Sequence, residues 1–174
     1  MKNVSIFIES KLGLKVNMTK SKVSKPNDIK YLGFGFFMDK NDGLWKAKPH
    51  AKSVEKLKLK LKKLTSRRWS ISLDERLEKI KKTIVGWTNY YKIGYWKDVA
   101  RMVDAHVRFR LRMCIWKQWK KPRTKMRNLM KLGIPKYYAH MAANSRRGHW
   151  FCANLTTIKR AMTKERLINS GFYD

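Results

Sequence analysis

The chain has 174 residues, enough for one domain or two small lobes. It carries 42 lysines and arginines against 12 acidic residues, a formal net charge of +30, so the partner to expect is a polyanion, and nucleic acid is the usual one. A hydrophobic fraction of 43% excludes a disordered basic tail, which could not bury a core.

Residues 1–49 read as α/β. "VSIFIESKLGL" predicts a short helix ending at Gly13, and "LKVN" and "SKVS" predict short strands. "IKYLGFGFFMDKNDGLWKAKP" has the pattern of a hairpin, two apolar runs around a turn rich in Asn, Asp and Gly. Residues 50–122 read as helical. In "SVEKLKLKLKKL" the leucines alternate as in a strand. Val54, Leu57, Leu61 and Leu64 also keep helical spacing, and the Lys/Leu composition favours helix, with Ser53 as its cap. "SRRWSIS" predicts a turn. Ser72 caps a second helix, with Glu75 at the capping-box position and Leu73, Leu77, Ile80, Ile84, Trp87 and Tyr91 as its apolar stripe, up to Gly94. A third helix runs from about Asp98 towards Lys120, with Val99, Met102, His106, Phe109, Met113 and Trp116 on one side and Pro122 as its stop.

Residues 123–174 predict a small basic helical tail. "RTKMRNLMKLG" is a helix closed by Gly133, "IPKYYAHMAA" a helix opened by a proline, and "NSRRGHWFCAN" a loop or short strand. "LTTIKRAM" and "TKERLINSG" close the chain as two short helices. The fold class is therefore α+β, mainly α. Cys114 and Cys152 form no disulfide framework, which suits a reducing compartment. The apolar run Val4–Ile8 is too short for a signal peptide or a membrane span, so a cytoplasmic protein with no membrane partner is expected.

Several stretches resemble one family. "LKVNMTKSKV" followed by "IKYLGFGF" resembles the last two sequence blocks of the reverse transcriptase domain in proteins encoded by group II introns. "SLDERLEKIKKTIVGWTNYY" and "VDAHVRFRLRMCIWKQWKKP" resemble the maturase-specific, or thumb, domain of the same proteins, and "MAANSRRGHWFCAN" resembles their tails. The resemblance covers essentially the whole chain, in the family's order. It implies a palm remnant with a β-hairpin at 1–49, a three-helix thumb at 50–122 and a helical tail at 123–174. By the same resemblance, Lys20 matches the lysine that approaches the incoming nucleotide, and Leu32 and Gly33 belong to the hairpin that supports the primer end.

The departure from the family is as informative. Its polymerase site needs a Tyr-x-Asp-Asp turn and a third aspartate, which hold two metal ions. This sequence has no adjacent aspartate pair and no Cys-x-x-Cys of the kind that braces the family's endonuclease domain. The expectation is a chain with no catalytic residues, no metal site and no cofactor of its own. Magnesium is implied only for the intact polymerase and for the intron RNA.

RNA-contacting candidates follow from the charge. Arg101, Arg108 and Arg112 share helical spacing, and Lys117, Lys120 and Lys121 extend that face; the bland alternative is a solvated surface. Arg67 and Arg68 lie in the turn before the second helix, and Arg146 and Arg147 flank Gly148 in a loop. Among the rings of "VGWTNYYKIGYW", Trp87 and Tyr91 read as core, while Tyr90, Tyr95 and Trp96 are placed where a base could stack. A zinc site from Cys114, His140, His149 and Cys152 has only one close pair, and His106 reads as a satisfied core or interface histidine.

The expected function is the RNA-binding portion of a group II intron-encoded protein, which assists intron RNA folding and splicing. Two other readings stay open. One is the C-terminal half of a split polymerase that works with an upstream palm polypeptide on a primer–template. The other is a generic nucleic-acid-binding protein.

Overall fold

The computed structural model describes residues 2–167 and 169. Helix α1 spans Lys2–Leu12, followed by irregular chain and a single 3-10 turn at Pro26–Asp28. Strands β1 (Phe34–Met38) and β2 (Trp45–Pro49) pair antiparallel, with Phe34 opposite Pro49 and Met38 opposite Trp45. Helices α2 (Ala51–Leu64), α3 (Leu73–Tyr91) and α4 (Lys97–Gln118) follow. Then come α5 (Pro122–Lys131), α6 (Lys136–Ala143), α7 (His149–Asn154), α8 (Thr156–Ala161) and α9 (Lys164–Leu167). The fold is α+β and mainly α. No helix among the described residues is long and apolar enough to cross a membrane.

Two apolar clusters meet on α4. The first joins Leu57 and Leu61 of α2, Leu77 and Ile80 of α3, and Val103, Val107 and Leu111 of α4. The second gathers Leu129, Ile134, Ala139, Cys152, Ile158 and Ala161 of the following helices around Trp116. Each fully buried aliphatic side chain stabilises by roughly 1.5–3 kcal/mol, which outweighs the weak helix-forming tendency of the short C-terminal pieces.

Ser72 caps α3 as the sequence suggests, its Oγ accepting from the Glu75 N–H at 3.1 Å. Four local expectations are corrected. "LKVN" and "SKVS" form no strands; Asn17 Oδ1 instead accepts from the N–H groups of Thr19 and Lys20, both at 3.1 Å, and folds that stretch into a turn. Helix α2 begins at Ala51, capped by His50, whose Nδ1 accepts from the Lys52 N–H; Ser53 is buried and donates to the Gly33 carbonyl at 2.9 Å. "HWFCAN" is a helix, because Cys152 and Ala153 must both reach buried positions, and the run is too short for its period to be legible. The buried apolar positions of α4 include Val103, Val107 and Leu111, which the sequence reading passed over, beside the expected Met113 and Trp116, while Met102 is exposed. The end of the last predicted helix, beyond Leu167, falls largely outside the described residues.

The hairpin is docked on the end of α3 by the aromatic stretch. Tyr90 donates its hydroxyl to the Leu32 carbonyl at 2.7 Å and stacks on Phe34, with ring centroids 5.8 Å apart. Phe34 also meets Tyr91 at 5.0 Å, and Phe37 meets Tyr95 at 5.6 Å. The Tyr95 N–H donates to the Ala47 carbonyl of β2 at 2.7 Å. Tyr90 and Tyr95 thus belong to the seam between hairpin and bundle, half of each surface remaining exposed. Trp87 is half-buried against the first cluster, 4.4 Å from the Tyr91 ring.

Candidate nucleic-acid interface

The turn from Thr65 to Ser72 is held from below by two arginines. Arg76 is 2% exposed; its NH1 donates to the carbonyls of Leu64 (2.7 Å) and Ser66 (3.0 Å), and its NH2 to that of Trp69 (2.7 Å). Arg110 donates from Nε to the buried Thr65 hydroxyl at 2.9 Å, and from NH2 to the carbonyls of Lys62 (3.0 Å) and Thr65 (3.2 Å). Thr65 in turn donates to Leu61, and Cys114 donates its thiol to the Thr65 carbonyl at 3.3 Å. The carbonyls at the C-terminal end of α2, which carry the negative end of its dipole, therefore meet two guanidiniums.

Among the described residues neither guanidinium is paired with a carboxylate, so the turn is held in shape and left with positive charge. Burial pushes Arg110 below its ordinary pKa; Cys114 opposes this, and Arg67 and Arg76 add to it. Arginine remains charged under such shifts. Burial likewise pushes the Cys114 thiol up, against the pull of Arg76, Arg110 and Lys117.

On this base the turn presents Arg67 and Arg68, both exposed. Lys117 of α4 reaches back and donates to the Arg67 carbonyl, and an Arg67 NH1 lies 3.4 Å from Nδ1 of His149, at the start of α7. Arg67, Lys117 and Lys120 line one cleft, and Arg68 lines another with Lys62, Lys63 and Arg110.

The other predicted residues are not all brought to this face. Arg101 is exposed, with Asp98 at 3.5 Å, and Arg108 is half-buried with Asp104 at 2.8 Å, so both are met by carboxylates of their own helix. Arg112 is 9% exposed, and its Nε donates to the Met162 carbonyl at 2.9 Å. It braces α4 against the end of α8 and offers no surface to a ligand. Lys121, Arg146 and Arg147 are exposed, the last with its guanidinium 4.3 Å from the Phe151 ring. Lys20 is exposed in the turn made by Asn17, while Leu32 and Gly33 sit at the hairpin seam. Among the described residues, no group of three or more His, Cys, Asp or Glu could hold a metal ion.

Arg76 and Arg110 were missed by sequence reasoning, although a signal existed. Arg76 interrupts the apolar stripe between Leu73 and Leu77, and Arg110 adjoins the wholly buried Leu111.

Residues 54–133, from the first turn of α2 to the end of α5, match the family described as the group II intron, maturase-specific domain. Over those residues the chain is similar to the maturase-specific domain of group II intron proteins. The braced basic turn and all of α3 and α4 lie inside the matched region. No curated protein matches the chain.

Proposed function

We propose that the chain binds group II intron RNA and assists its folding and splicing, without polymerase activity of its own. The carrying observation is the Thr65–Ser72 turn within the matched region: a braced basic element whose arginines, buried Arg76 and half-buried Arg110, have carbonyl partners and, among the described residues, no carboxylate. RNA recognition by shape needs fixed cations, since floppy ones lose entropy on binding. The chemistry of splicing would belong to the RNA and its magnesium, and the protein would need no cofactor.

The test is a competition titration at several salt concentrations. A folded group II intron domain is expected to outcompete an unstructured RNA of equal length. Log affinity is expected to fall linearly with log salt, by roughly 0.7–0.9 of a slope unit per phosphate contacted. Equal affinity for the two RNAs at physiological salt would leave only a generic polyanion binder.

One observation favours a second reading, a chain that works beside an upstream palm polypeptide on a primer–template. Ile6, Phe7 and Leu12 of α1, and Leu14, Met18 and Val23 after it, are all exposed, an apolar surface that another polypeptide would cover. Co-purification with such a polypeptide, and nucleotide incorporation only by the pair, would support it.

A further inference from the structure

The cleft between the Thr65–Ser72 turn and the C-terminal end of α4 has a volume of about 170 Å³. Its lining holds four cations, Arg67, Arg76, Lys117 and Lys120, and no acidic residue. One of them, Arg76, is almost wholly buried; its two terminal nitrogens are spent on backbone carbonyls, and its Nε is buried without an acceptor among the described residues. Trp69 covers this charge, its ring 5.8 Å from the Arg76 guanidinium and 4.8 Å from Lys79 Nζ.

We infer that this cleft is a phosphate-binding site that takes one backbone phosphodiester of an RNA strand. The inference rests on the RNA-binding reading above and deepens it to a single site. A buried cation in a low-dielectric wall attracts an anion more strongly than a solvated one does. Arg67 and Lys120, at the exposed rim, are the groups that donate to phosphate oxygens, Arg67 with the planar fork suited to them. Arg76 supplies charge from behind and holds the turn in shape. Gln118 and the Ser70 hydroxyl add neutral donors. The volume exceeds what one phosphate group requires and leaves room for its ester oxygens.

With so basic a chain, any anion binds weakly everywhere, so the test must report position. The whole chain is labelled with nitrogen-15 at tryptophan, and the Trp69 indole resonance is assigned by Trp69→Phe. Chloride is then replaced by inorganic phosphate at constant ionic strength. The Trp69 resonance should shift and saturate, and the shift should vanish in Arg67→Gln/Lys120→Gln but persist in the charge-matched Lys15→Gln/Lys22→Gln. Gradual, unsaturating shifts of all indoles together, or a Trp69 shift unchanged in Arg67→Gln/Lys120→Gln, would overturn the site.

A short RNA with a 5′-hydroxyl should move the same resonance in the same direction. Response only to free phosphate or to a 5′-phosphorylated RNA would overturn the diester assignment in favour of a terminal phosphate. Failure of intron-RNA selectivity with a saturable Trp69 shift intact would count against the maturase reading and not against the site.

Discussion

Gly33 shows how one residue couples two elements. Its φ of +83° is one that side chains rarely adopt, and a Cβ there would lie 2.5 Å from the Tyr91 hydroxyl. Gly94 plays the converse part, since a Cβ on it would lie 2.9 Å from the Ala47 carbonyl. Gly33→Ala combines left-handed strain with overpacking and is expected to cost about 2–4 kcal/mol. Removing the hydroxyl leaves the nearest ring carbon at 3.4 Å, so adding Tyr91→Phe should recover the clash but not the strain. Urea midpoints of the two single variants and the double variant decide the matter. Strict additivity would mean that the hairpin does not sit on Tyr91 as described.

At the scale of elements, the turn between α2 and α3 is the part whose form depends most on distant side chains. Arg76→Met keeps the apolar stem and removes three hydrogen bonds to Leu64, Ser66 and Trp69. Hydrogen bonds from a charged group contribute roughly 1.5–3 kcal/mol, but the methionine packs well, so the net global cost expected is about 1–3 kcal/mol. The local effect should be larger than the global one. Amide exchange across residues 65–71 should accelerate beyond the change at core positions of α4 such as Val107, and RNA affinity should fall with it. Equal acceleration everywhere would make Arg76 a general stabiliser rather than the brace of the turn.

For the whole molecule, half-buried histidines amid an excess of positive charge set the pH response. His106 is held below its ordinary value of 6.5 by burial first, then by Arg110, Lys58 and Lys62. Its Nε2 is buried without a hydrogen-bond partner among the described residues, so the satisfied histidine expected from the sequence is corrected. His149 is depressed by burial first, then by Arg67, Lys125 and Lys117. A histidine with a lowered folded pKa binds protons more readily in the unfolded chain. Its contribution is therefore complete above 6.5 and is lost as pH falls from there towards the folded value. Thermal midpoints at fixed ionic strength should drop between pH 7.5 and pH 5.5, by less in His106→Gln/His149→Gln. A midpoint that is flat across that interval in the native chain would contradict the assignment.

The sequence by itself determined the net charge, the three long helices, the hairpin and the cap at Ser72. Net charge needs no fold, and helical spacing, turn residues and caps act over a few neighbours, so each is written locally. It also carried the resemblance to the maturase-specific domain, which the match upholds over residues 54–133. Only the tertiary structure decided which cations remain available. Arg108 and Arg112 share a face by spacing, yet one meets Asp104 and the other is buried against Met162, 50 residues along the chain. The Arg110–Thr65 brace joins residues 45 apart, and the Tyr90–Leu32 bond joins residues 58 apart. Such contacts depend on how helices pack around a shared core, and no local period encodes them. The rings of the aromatic stretch therefore close a seam between hairpin and bundle, and the basic turn beside buried Arg76 becomes the candidate site.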